Sequence, residues 1–281
     1  MGGWRGLRSA LNFRNVETKQ AVLAKAGPIL YAQGPMRFLL YNIRYGTGIG
    51  RLPHLPWSRY LSRTGANLAR IVEFIRSQKP DIAGLVEVDA GSYRSGHLNQ
   101  AEVIARALGH YHCFESKYSA ASLARRCPVV NKQVNAFLTS HTVRGARFHY
   151  FRTGMKRLVI ELELERLTLF LVHLSIKFRT RQCQLADLHD LVAAVKKPCI
   201  VAGDFNAFWG DREISLFLAA TGLRNASARA CPSFPSWRPR RQLDFVLCSP
   251  DIKVIGLRAP RVMLSDHLPL VCDFELPERR R

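Results

Sequence analysis

The sequence predicts an α/β (α+β) sandwich in which mixed β-sheets are covered on the outside by helices. From residue 36 onward, short apolar segments of strand length alternate with amphipathic segments of helical periodicity. Some neighbouring strands are close enough to form hairpins, whereas others are separated by a helix, and this combination indicates mixed sheets. No glycine-rich or proline-rich linker divides residues 36–278, so we expect a single domain there.

The first half of this domain contains four predicted strands and two predicted helices. The strands are expected at 37–43, 81–89, 111–116 and 134–140, and the helices at 67–81 and 101–111. Pro80 ends the first helix because it cannot continue the hydrogen-bond pattern, and Gly109 closes the second. A basic loop that contains Arg125, Arg126 and Lys132 separates the last two strands.

The second half begins with a long apolar segment, 157–176, which predicts two strands joined by a tight turn near Arg166. Further strands are expected at 198–206, 241–249, 252–258 and 269–276, and helices at 181–195 and 211–222. No internal repeat of short period is present in the sequence.

The chain is strongly basic. It has 281 residues, of which 42 are Lys or Arg and 21 are Asp or Glu, so the net charge is +21. Residues 36–281 alone carry 37 basic and 20 acidic residues, an excess of +17, so the charge is not confined to the N-terminus. Such a charge favours partners such as nucleic acid, phosphate-rich surfaces or anionic lipid headgroups, but it does not identify a reaction.

The N-terminal segment and the cysteines bear on cellular location. Residues 1–35 carry five basic residues and one acidic residue, and their sequence indicates no strand or capped helix. We expect a mobile basic extension there, with an Arg-rich targeting segment as the alternative. The seven cysteines show no metal-binding spacing, which favours small core residues in a reducing compartment. No apolar run reaches the roughly 18 residues that span a membrane. A cytoplasmic monomer is the expectation.

Eight polar residues lie near the ends of predicted strands. They are Asn42, Glu87, His173, Asp204, Asn206, Asp244, Asp266 and His267. Each alone has an ordinary structural explanation, such as a turn, a helix cap or a buried histidine. Together, carboxylates from separate strands can converge on a hard cation, Mg²⁺ or Mn²⁺, while imidazoles and amides bind phosphate oxygens. The set therefore favours phosphoryl chemistry. The sequence has neither a G-x-S-x-G nucleophile motif nor a phosphate-binding glycine loop of the Walker type.

Six segments in order carry a family resemblance. They are "YNIRYG", "PDIAGLVEVD", "VHLSI", "VAGDFNAF", "QLDFVL" and "SDHLPL", and the resemblance that they carry covers about residues 36–276. In these segments the chain resembles the endonuclease/exonuclease/phosphatase superfamily of DNase I-like, metal-dependent phosphohydrolases. The resemblance implies a four-layer DNase I-like sandwich and a divalent-metal-dependent phosphoester hydrolase. Arg44 stands where one branch, the abasic-site endonucleases, has an acidic residue.

The resemblance also implies roles for individual residues. Glu87 corresponds to the principal metal ligand, with Asn42 and Asp266 supporting the metal. Asp204 corresponds to the residue that orients or deprotonates the attacking water, and Asn206 to its companion donor. We expect strand alternation to place these last two side chains on one side.

Two histidines complete the implied catalytic set. His267 corresponds to the imidazole that donates to the scissile phosphate, and Asp244 to the carboxylate that orients its ring. His173 corresponds to a second imidazole that contacts the phosphate.

The basic loops suggest the substrate. We expect phosphate contacts from Arg44, Lys177, Arg179, Arg181 and Arg241. Trp209 and Trp237 could stack on bases or enter a lipid headgroup region. The leading hypothesis is an endonuclease or phosphodiesterase that cleaves nucleic acid. The alternatives are hydrolysis of phospholipid headgroups or small phosphorylated metabolites, and a non-catalytic nucleic-acid-binding protein.

Overall fold

The computed structural model describes residues 17–20, 34–49, 64–118, 130–210 and 212–278. The strands in this part of the chain are β1 (Glu17–Gln20), β2 (Met36–Asn42), β3 (Ile82–Asp89), β4 (Tyr111–Ser116), β5 (Gln133–Thr139), β6 (Val143–Tyr150), β7 (Leu158–Leu164), β8 (Thr168–His173), β9 (Cys199–Asp204), β10 (Arg224–Asn225), β11 (Asp244–Cys248), β12 (Lys253–Arg258) and β13 (Leu270–Glu275). The helices are α1 (Gly65–Gln78), α2 (Gln100–Leu108), α3 (Phe178–Ala193) and α4 (Arg212–Thr221).

The strands form two mixed sheets. One sheet has the order β1-β6-β7-β8-β9-β11-β10, and the other has the order β12-β13-β2-β3-β5-β4. Only β8 with β9 and β2 with β3 pair in parallel among the described strands. One apolar cluster lies between the sheets, a second contains residues of α1 and α2, and a third contains residues of α3 and α4. The predicted four-layer sandwich is therefore confirmed.

Strand β2 illustrates why the central strands are apolar throughout. Phe38 and Leu40 belong to the cluster between the sheets, whereas Leu39 and Tyr41 pack in the cluster with α1 and α2. Successive side chains of a strand point to opposite faces, and both faces of this strand are covered. Apolar residues are therefore needed on both faces, from Phe38 to Tyr41.

Three of the described strands were not predicted: β1, β6 and the two-residue β10. β6 has the sequence "VRGARFHY", in which polar residues interrupt the apolar pattern. β1 lies within residues 1–35, where we expected no strand, and it pairs antiparallel with β6. Thr18 Oγ1 lies 3.0 Å from His149 Nδ1, so this pairing is supported by a side-chain contact. The prediction of an unstructured extension is wrong for Glu17–Gln20, and residues 1–16 and 21–33 lie outside the described part of the chain.

The ends of β8 and β9 and the start of β11 meet at one edge of the seven-stranded sheet. The register aligns His173 with Asp204 and Asp204 with Asp244. Gly203 permits this arrangement, because a Cβ atom at this position would lie 1.9 Å from the carbonyl oxygen of Val172. The two parallel strands can approach closely only with glycine here.

Glu161 provides a buried charge that links β6 and β7. Its carboxylate lies 2.6 Å from His149 Nε2 and also accepts from Arg147. Burial alone would raise the pKa of Glu161, but the hydrogen bonds with His149 and Arg147 outweigh burial and lower the pKa to about 2. A lowered pKa in the folded state stabilises the protein above the ordinary value of 4.5, and this contribution is lost as the pH falls toward 2.

We therefore expect Glu161→Gln to reduce the free energy of unfolding by up to about 3 kcal/mol at pH 7. The difference from the unmodified protein should shrink as the pH is lowered from 5 to about 3, because the carboxylate then becomes protonated in the unfolded chain. Urea unfolding followed by circular dichroism at several pH values would measure it. Glu73→Gln is the control, since the Glu73 pair with Arg76 is exposed and contributes little. An equal loss at pH 3 and pH 7 would contradict the electrostatic explanation.

Candidate active site

Glu87 is brought into the site by a bulge in β3. The pairing register between β3 and β5 shifts between Leu85 and Val88, and Glu87 has a left-handed backbone with φ of 56°. Its backbone N–H donates to Asn135 Oδ1 over 3.3 Å instead of joining the regular ladder. A bulge of this kind redirects a side chain, which explains how a carboxylate can leave a strand that is apolar on both faces.

Two lysines surround the Glu87 carboxylate. Lys156 Nζ lies 3.3 Å and Lys117 Nζ 3.9 Å from Glu87 Oε1. Burial alone would raise the pKa of Glu87, but Lys117, Lys156 and His267 together lower it to about 2. The carboxylate is therefore ionised throughout the physiological range.

Sequence reasoning missed both lysines. Lys117 follows β4 and is buried, and it donates to the Tyr45 hydroxyl over 3.1 Å. Burial lowers the pKa of Lys117 to about 7, although Glu87 opposes the shift. Lys156 lies in the loop between β6 and β7, and its Nζ is 2.7 Å from His173 Nε2. Lys156 lies in a loop that no motif marks. Lys117 directly follows the predicted strand 111–116, and that position is the signal that could have found it.

Asp204 is the most connected carboxylate of the site. Its Oδ2 accepts from Asn42 Nδ2 over 3.2 Å, and its Oδ1 accepts from the backbone N–H of Asn206 over 3.0 Å. His267 Nε2 lies 3.9 Å and His173 Nε2 3.6 Å from Asp204 Oδ2. Burial raises the pKa of Asp204 to about 7, with His267 opposing the shift and Asp244 adding to it.

The predicted proximity of Asp204 and Asn206 is observed, but strand alternation does not produce it. β9 ends at Asp204, and Asn206 has a left-handed backbone with φ of 51°. The Asn206 N–H bonds to the Asp204 side chain in a local turn, and Asn206 Nδ2 donates to the carbonyl of Leu174 over 2.9 Å. Phe205 packs away from the site against Phe245, as expected.

Asp244 and His267 form the predicted pair. His267 Nδ1 lies 2.7 Å from Asp244 Oδ2, and Ser233 Oγ donates to the same oxygen. Burial disfavours the charged imidazole, but Asp244 and Asp204 outweigh burial and raise the pKa of His267 to about 10. The ring also packs against Phe234, with centroids 5.0 Å apart. The imidazolium is thus fixed in position next to Asp204.

Arg44 lies between two of the predicted metal ligands. Its backbone N–H donates to Asn42 Oδ1 over 3.1 Å, and its Nε lies 3.4 Å from Asp266 Oδ2. The guanidinium also donates to the carbonyl of Gly48, and the residue is buried. Its side chain is held inside the protein beside Asp266, and the expected phosphate contact of Arg44 stays a prediction.

Arg181 is a correction to the predicted phosphate contacts. It is fully buried in α3 and binds the Glu213 carboxylate through Nε and Nη2, with the shortest contact at 2.6 Å. A buried charge requires such a partner, and Arg181 therefore joins α3 to α4 and is not a phosphate contact. Of the other predicted contacts, Lys177, Arg179 and Arg241 are exposed.

The remaining expectations about substrate contacts have mixed outcomes. Arg241 lies over the Phe208 ring at 5.4 Å. Trp209 is exposed and Trp237 is half-buried. Arg125 and Arg126 lie outside the described residues.

The site contains oxygen and nitrogen atoms that could bind a divalent cation. One ligand atom from each of Asp204, Asp244 and His267 lies within 4.8 Å of the others. A protonated imidazole has no free lone pair, so this cluster is better explained as a hydrogen-bonded acid–base group. Asn42, Glu87 and Asp266 offer the oxygen donors that Mg²⁺ and Mn²⁺ prefer.

Two buried site atoms also lack a partner. Within the described residues, His173 Nδ1 and Asp244 Oδ1 have no hydrogen-bond partner. Buried polar atoms are normally satisfied, so their presence is consistent with a site completed by a bound ion, water or substrate. Oxygen donors of the kind that a divalent metal prefers are therefore present at the site, and the choice of Asn42, Glu87 and Asp266 as ligands stays a prediction.

The fold is shared with known structures of low sequence identity. The endonuclease/exonuclease/phosphatase from Beutenbergia cavernae is 19% identical with a TM-score of 0.66, covering 86% of this chain and 72% of its own. The human Nocturnin catalytic domain with bound sulfate is 23% identical with a TM-score of 0.60, covering 86% of this chain and 93% of its own. A mannosyl-6-phosphatase from Bacteroides thetaiotaomicron is 14% identical with a TM-score of 0.59, covering 85% and 99%.

A comparison with curated protein sequences gave no significant match. Residues 39–267 match the model of the Endonuclease/Exonuclease/phosphatase family, and this segment includes all eight polar residues discussed above. Because the match extends over most of the sequence, the chain belongs to the endonuclease/exonuclease/phosphatase family.

Proposed function

We propose that this protein hydrolyses a phosphodiester by direct attack of water, assisted by Mg²⁺ or Mn²⁺. Family membership supports a phosphoester hydrolase. The observation that carries the finer proposal is the position of Asp204, between the Asn42 amide and the Asp244–His267 pair. A carboxylate and an imidazolium at this separation can act on the attacking water and on a phosphoryl oxygen of the same substrate.

Asp204 is assigned the role of general base. Its pKa of about 7 is higher than that of an ordinary carboxylate, and a base is most effective when its pKa is near the working pH. The bonds from Asn42 Nδ2 and the Asn206 N–H fix the direction of the carboxylate. Asp204 therefore orients the attacking water and accepts its proton.

His267 is assigned to the phosphate. As an imidazolium it can donate Nε2–H to a phosphoryl oxygen on which charge develops. Asp244 holds the ring through Nδ1 and keeps it protonated. His173 is proposed as a second, neutral imidazole at the phosphate, since burial and Lys156 place its pKa well below the ordinary value. Its Nε2 accepts from Lys156 Nζ over 2.7 Å, so Nδ1–H is the group that can donate.

Glu87, Asn42 and Asp266 are proposed to hold the divalent ion. When bound there, Mg²⁺ or Mn²⁺ would supply Lewis-acid polarisation of a phosphoryl oxygen. Lys156 Nζ lies 3.3 Å from Glu87 Oε1, so its positive charge competes with the divalent ion for this carboxylate. The same ammonium group is proposed to contact the phosphate of a bound substrate.

For the substrate we propose a chemical class and not a single compound. Nucleic acid is favoured by the exposed cations Lys177, Arg179 and Arg241 and by the net charge. Phospholipid headgroups are the second candidate, favoured by large apolar side chains exposed at the same edge of the sheets. Nicking of supercoiled plasmid, cleavage of single-stranded RNA and release of headgroups from vesicles would be compared, each with Mg²⁺ and with EDTA. Release of inorganic phosphate from monoesters, with no diester cleaved, would overturn the phosphodiesterase proposal.

We expect Asp204→Asn to lower kcat by at least about a hundredfold on bis(4-nitrophenyl) phosphate, with KM changed little, because the base is lost while the shape is kept. Asp251→Asn, at an exposed carboxylate, is the matched control and should retain full turnover. Normal turnover of the Asp204 variant would show that another group activates the water. A wild-type protein with no hydrolysis of any ester would support the non-catalytic alternative.

Metal binding provides a test that does not require turnover. We expect Glu87→Gln to weaken Mn²⁺ binding by at least about tenfold, since one anionic ligand is lost. Lys156→Ala should strengthen it by about threefold or more, because an ammonium group near the cation is removed. Free Mn²⁺ measured by electron paramagnetic resonance would give both values.

Lys253→Ala is the control for this experiment, since Lys253 pairs with Glu275 on the exposed strand pair β12 and β13. Unchanged Mn²⁺ binding in Glu87→Gln would contradict the assignment of this ligand. Weaker binding in Lys156→Ala would mean that Lys156 positions Glu87 instead of competing for it.

A further inference from the structure

Large apolar side chains are exposed mainly around the candidate active site. Nine such residues are exposed in the described part of the chain, and seven of them lie in loops at the edge that carries the site or on the first residue of α3. These seven residues, which we call the apolar rim, are Tyr93, Leu98, Met155, Ile176, Phe178, Trp209 and Met263. Trp209 is the most exposed of them, at 82%. The other two, Leu216 and Ile255, lie in α4 and β12.

The sheet topology places the rim on one side of the molecule. β8 and β9 are parallel and end together, so the segments that carry Ile176 and Trp209 leave the same edge. β7 is antiparallel to β8, with Val159 opposite Val172, so the loop that contains Met155 lies at this edge too. Strands are about 4.8 Å apart, so these loops are close neighbours.

The second sheet contributes the remaining members. Asn42 at the end of β2 donates to Asp204 at the end of β9, so the corresponding edges of both sheets meet at the site. Tyr93 and Leu98 follow β3, which is parallel to β2, and Met263 precedes the start of β13, which lies beside the end of β2. The rim therefore surrounds the catalytic groups and is not scattered over the surface.

The loops that carry the rim are also basic. The segments 90–99, 151–157, 174–177, 205–210 and 259–269 contain six Lys or Arg residues, one of which, Arg94, is buried against Asp89, and one acidic residue, Asp266. The segment 226–243, which leads to the start of β11 at the same edge, adds four arginines. Lys177, Arg238 and Arg240 are exposed among them. Apolar side chains tipped toward solvent within a cationic surface are the arrangement that binds an interface between water and anionic lipid.

The chemistry of the rim decides between the two candidate partners. Aromatic rings can stack on nucleobases, but Leu98, Met155, Ile176 and Met263 have no ring to stack. Aliphatic side chains gain free energy when they leave water for the acyl boundary, and a tryptophan is favoured at the headgroup level. None of the described helices has the length and apolar character to cross a bilayer.

We propose that the apolar rim docks the protein on an anionic lipid surface, with the active-site opening facing the headgroups. The docking itself is independent of catalysis, whereas the choice of a lipid phosphodiester as substrate rests on the proposed function.

The test is co-sedimentation with phosphatidylcholine vesicles, with and without phosphatidylserine, in EDTA so that no substrate is turned over. We expect the protein to bind the anionic vesicles more tightly than the neutral ones, and less tightly as salt is raised. The variant Met155→Ser, Ile176→Ser, Phe178→Ser should bind anionic vesicles at least tenfold more weakly. Trp209 is kept in this variant.

A matched pair of isoleucine substitutions separates the effect of position on the surface from the effect of losing an apolar side chain. Ile176→Ser should weaken vesicle binding by about threefold or more, whereas Ile255→Ser should not, although the two isoleucines are 57% and 52% exposed. Hydrolysis of bis(4-nitrophenyl) phosphate by each variant should equal that of the unmodified protein, which shows that the fold and site are intact. Equal effects of the two substitutions would overturn the proposal.

The outcomes for docking and for catalysis are separable. Soluble diester hydrolysis without vesicle binding would overturn the docking proposal and leave the proposed function in place. Vesicle binding that depends on the rim, without hydrolysis of any diester, would support docking and overturn the function. If the triple variant loses affinity for a single-stranded oligonucleotide but not for vesicles, the rim is a nucleic-acid surface and the lipid proposal fails.

Discussion

The alignment of β8, β9 and β11 is the constraint on which the site depends. Their register sets His173, Asp204 and Asp244 side by side at one edge, each at the end or the beginning of its strand. This alignment requires glycine at position 203, since any side chain there would overlap the backbone of β8. A shift of one residue would turn Asp204 away from Asn42 and His267, because successive side chains face opposite sides.

The buried charges of the site are stable only as a group. Lys117, Asp204, Asp244 and His267 are buried, and the Glu87 side chain is only 16% exposed. An isolated ion in such a place would be neutralised or excluded. Opposite charges hold Glu87 ionised and His267 protonated, whereas Asp204 has a raised pKa. The same packing thus keeps Glu87 ionised, whereas Asp204 can gain or lose a proton near neutral pH.

The sequence predicted the parts of the fold and site that depend on local pattern. Residues at the ends of apolar strands, such as Asp204 and Asp244, could be identified because a carboxylate directly beside a buried strand is unusual. Lys156 could not, because it reaches Glu87 from a loop whose course is set by the packing of the two sheets. Lys117 follows a predicted strand, but only carboxylates, amides and imidazoles were considered at strand ends. The bulge at Glu87 also leaves no clear signal, since Val86 and Val88 read as an uninterrupted strand. Strand β6 was missed because its partner strands, and not its own apolar pattern, hold it in place.

The arginines show why net charge is an incomplete guide to substrate. Arg94 and Arg181 are buried and bind Asp89 and Glu213 respectively, so their charges hold the protein together instead of meeting a ligand. A composition count treats them in the same way as the exposed Lys177 and Arg179. Only the remaining surface can recognise a partner, and around the site that surface combines cations with aliphatic side chains. The cations alone are enough to bind a polyanion in water. A membrane surface, with charged headgroups above acyl chains, can contact both the cations and the aliphatic side chains.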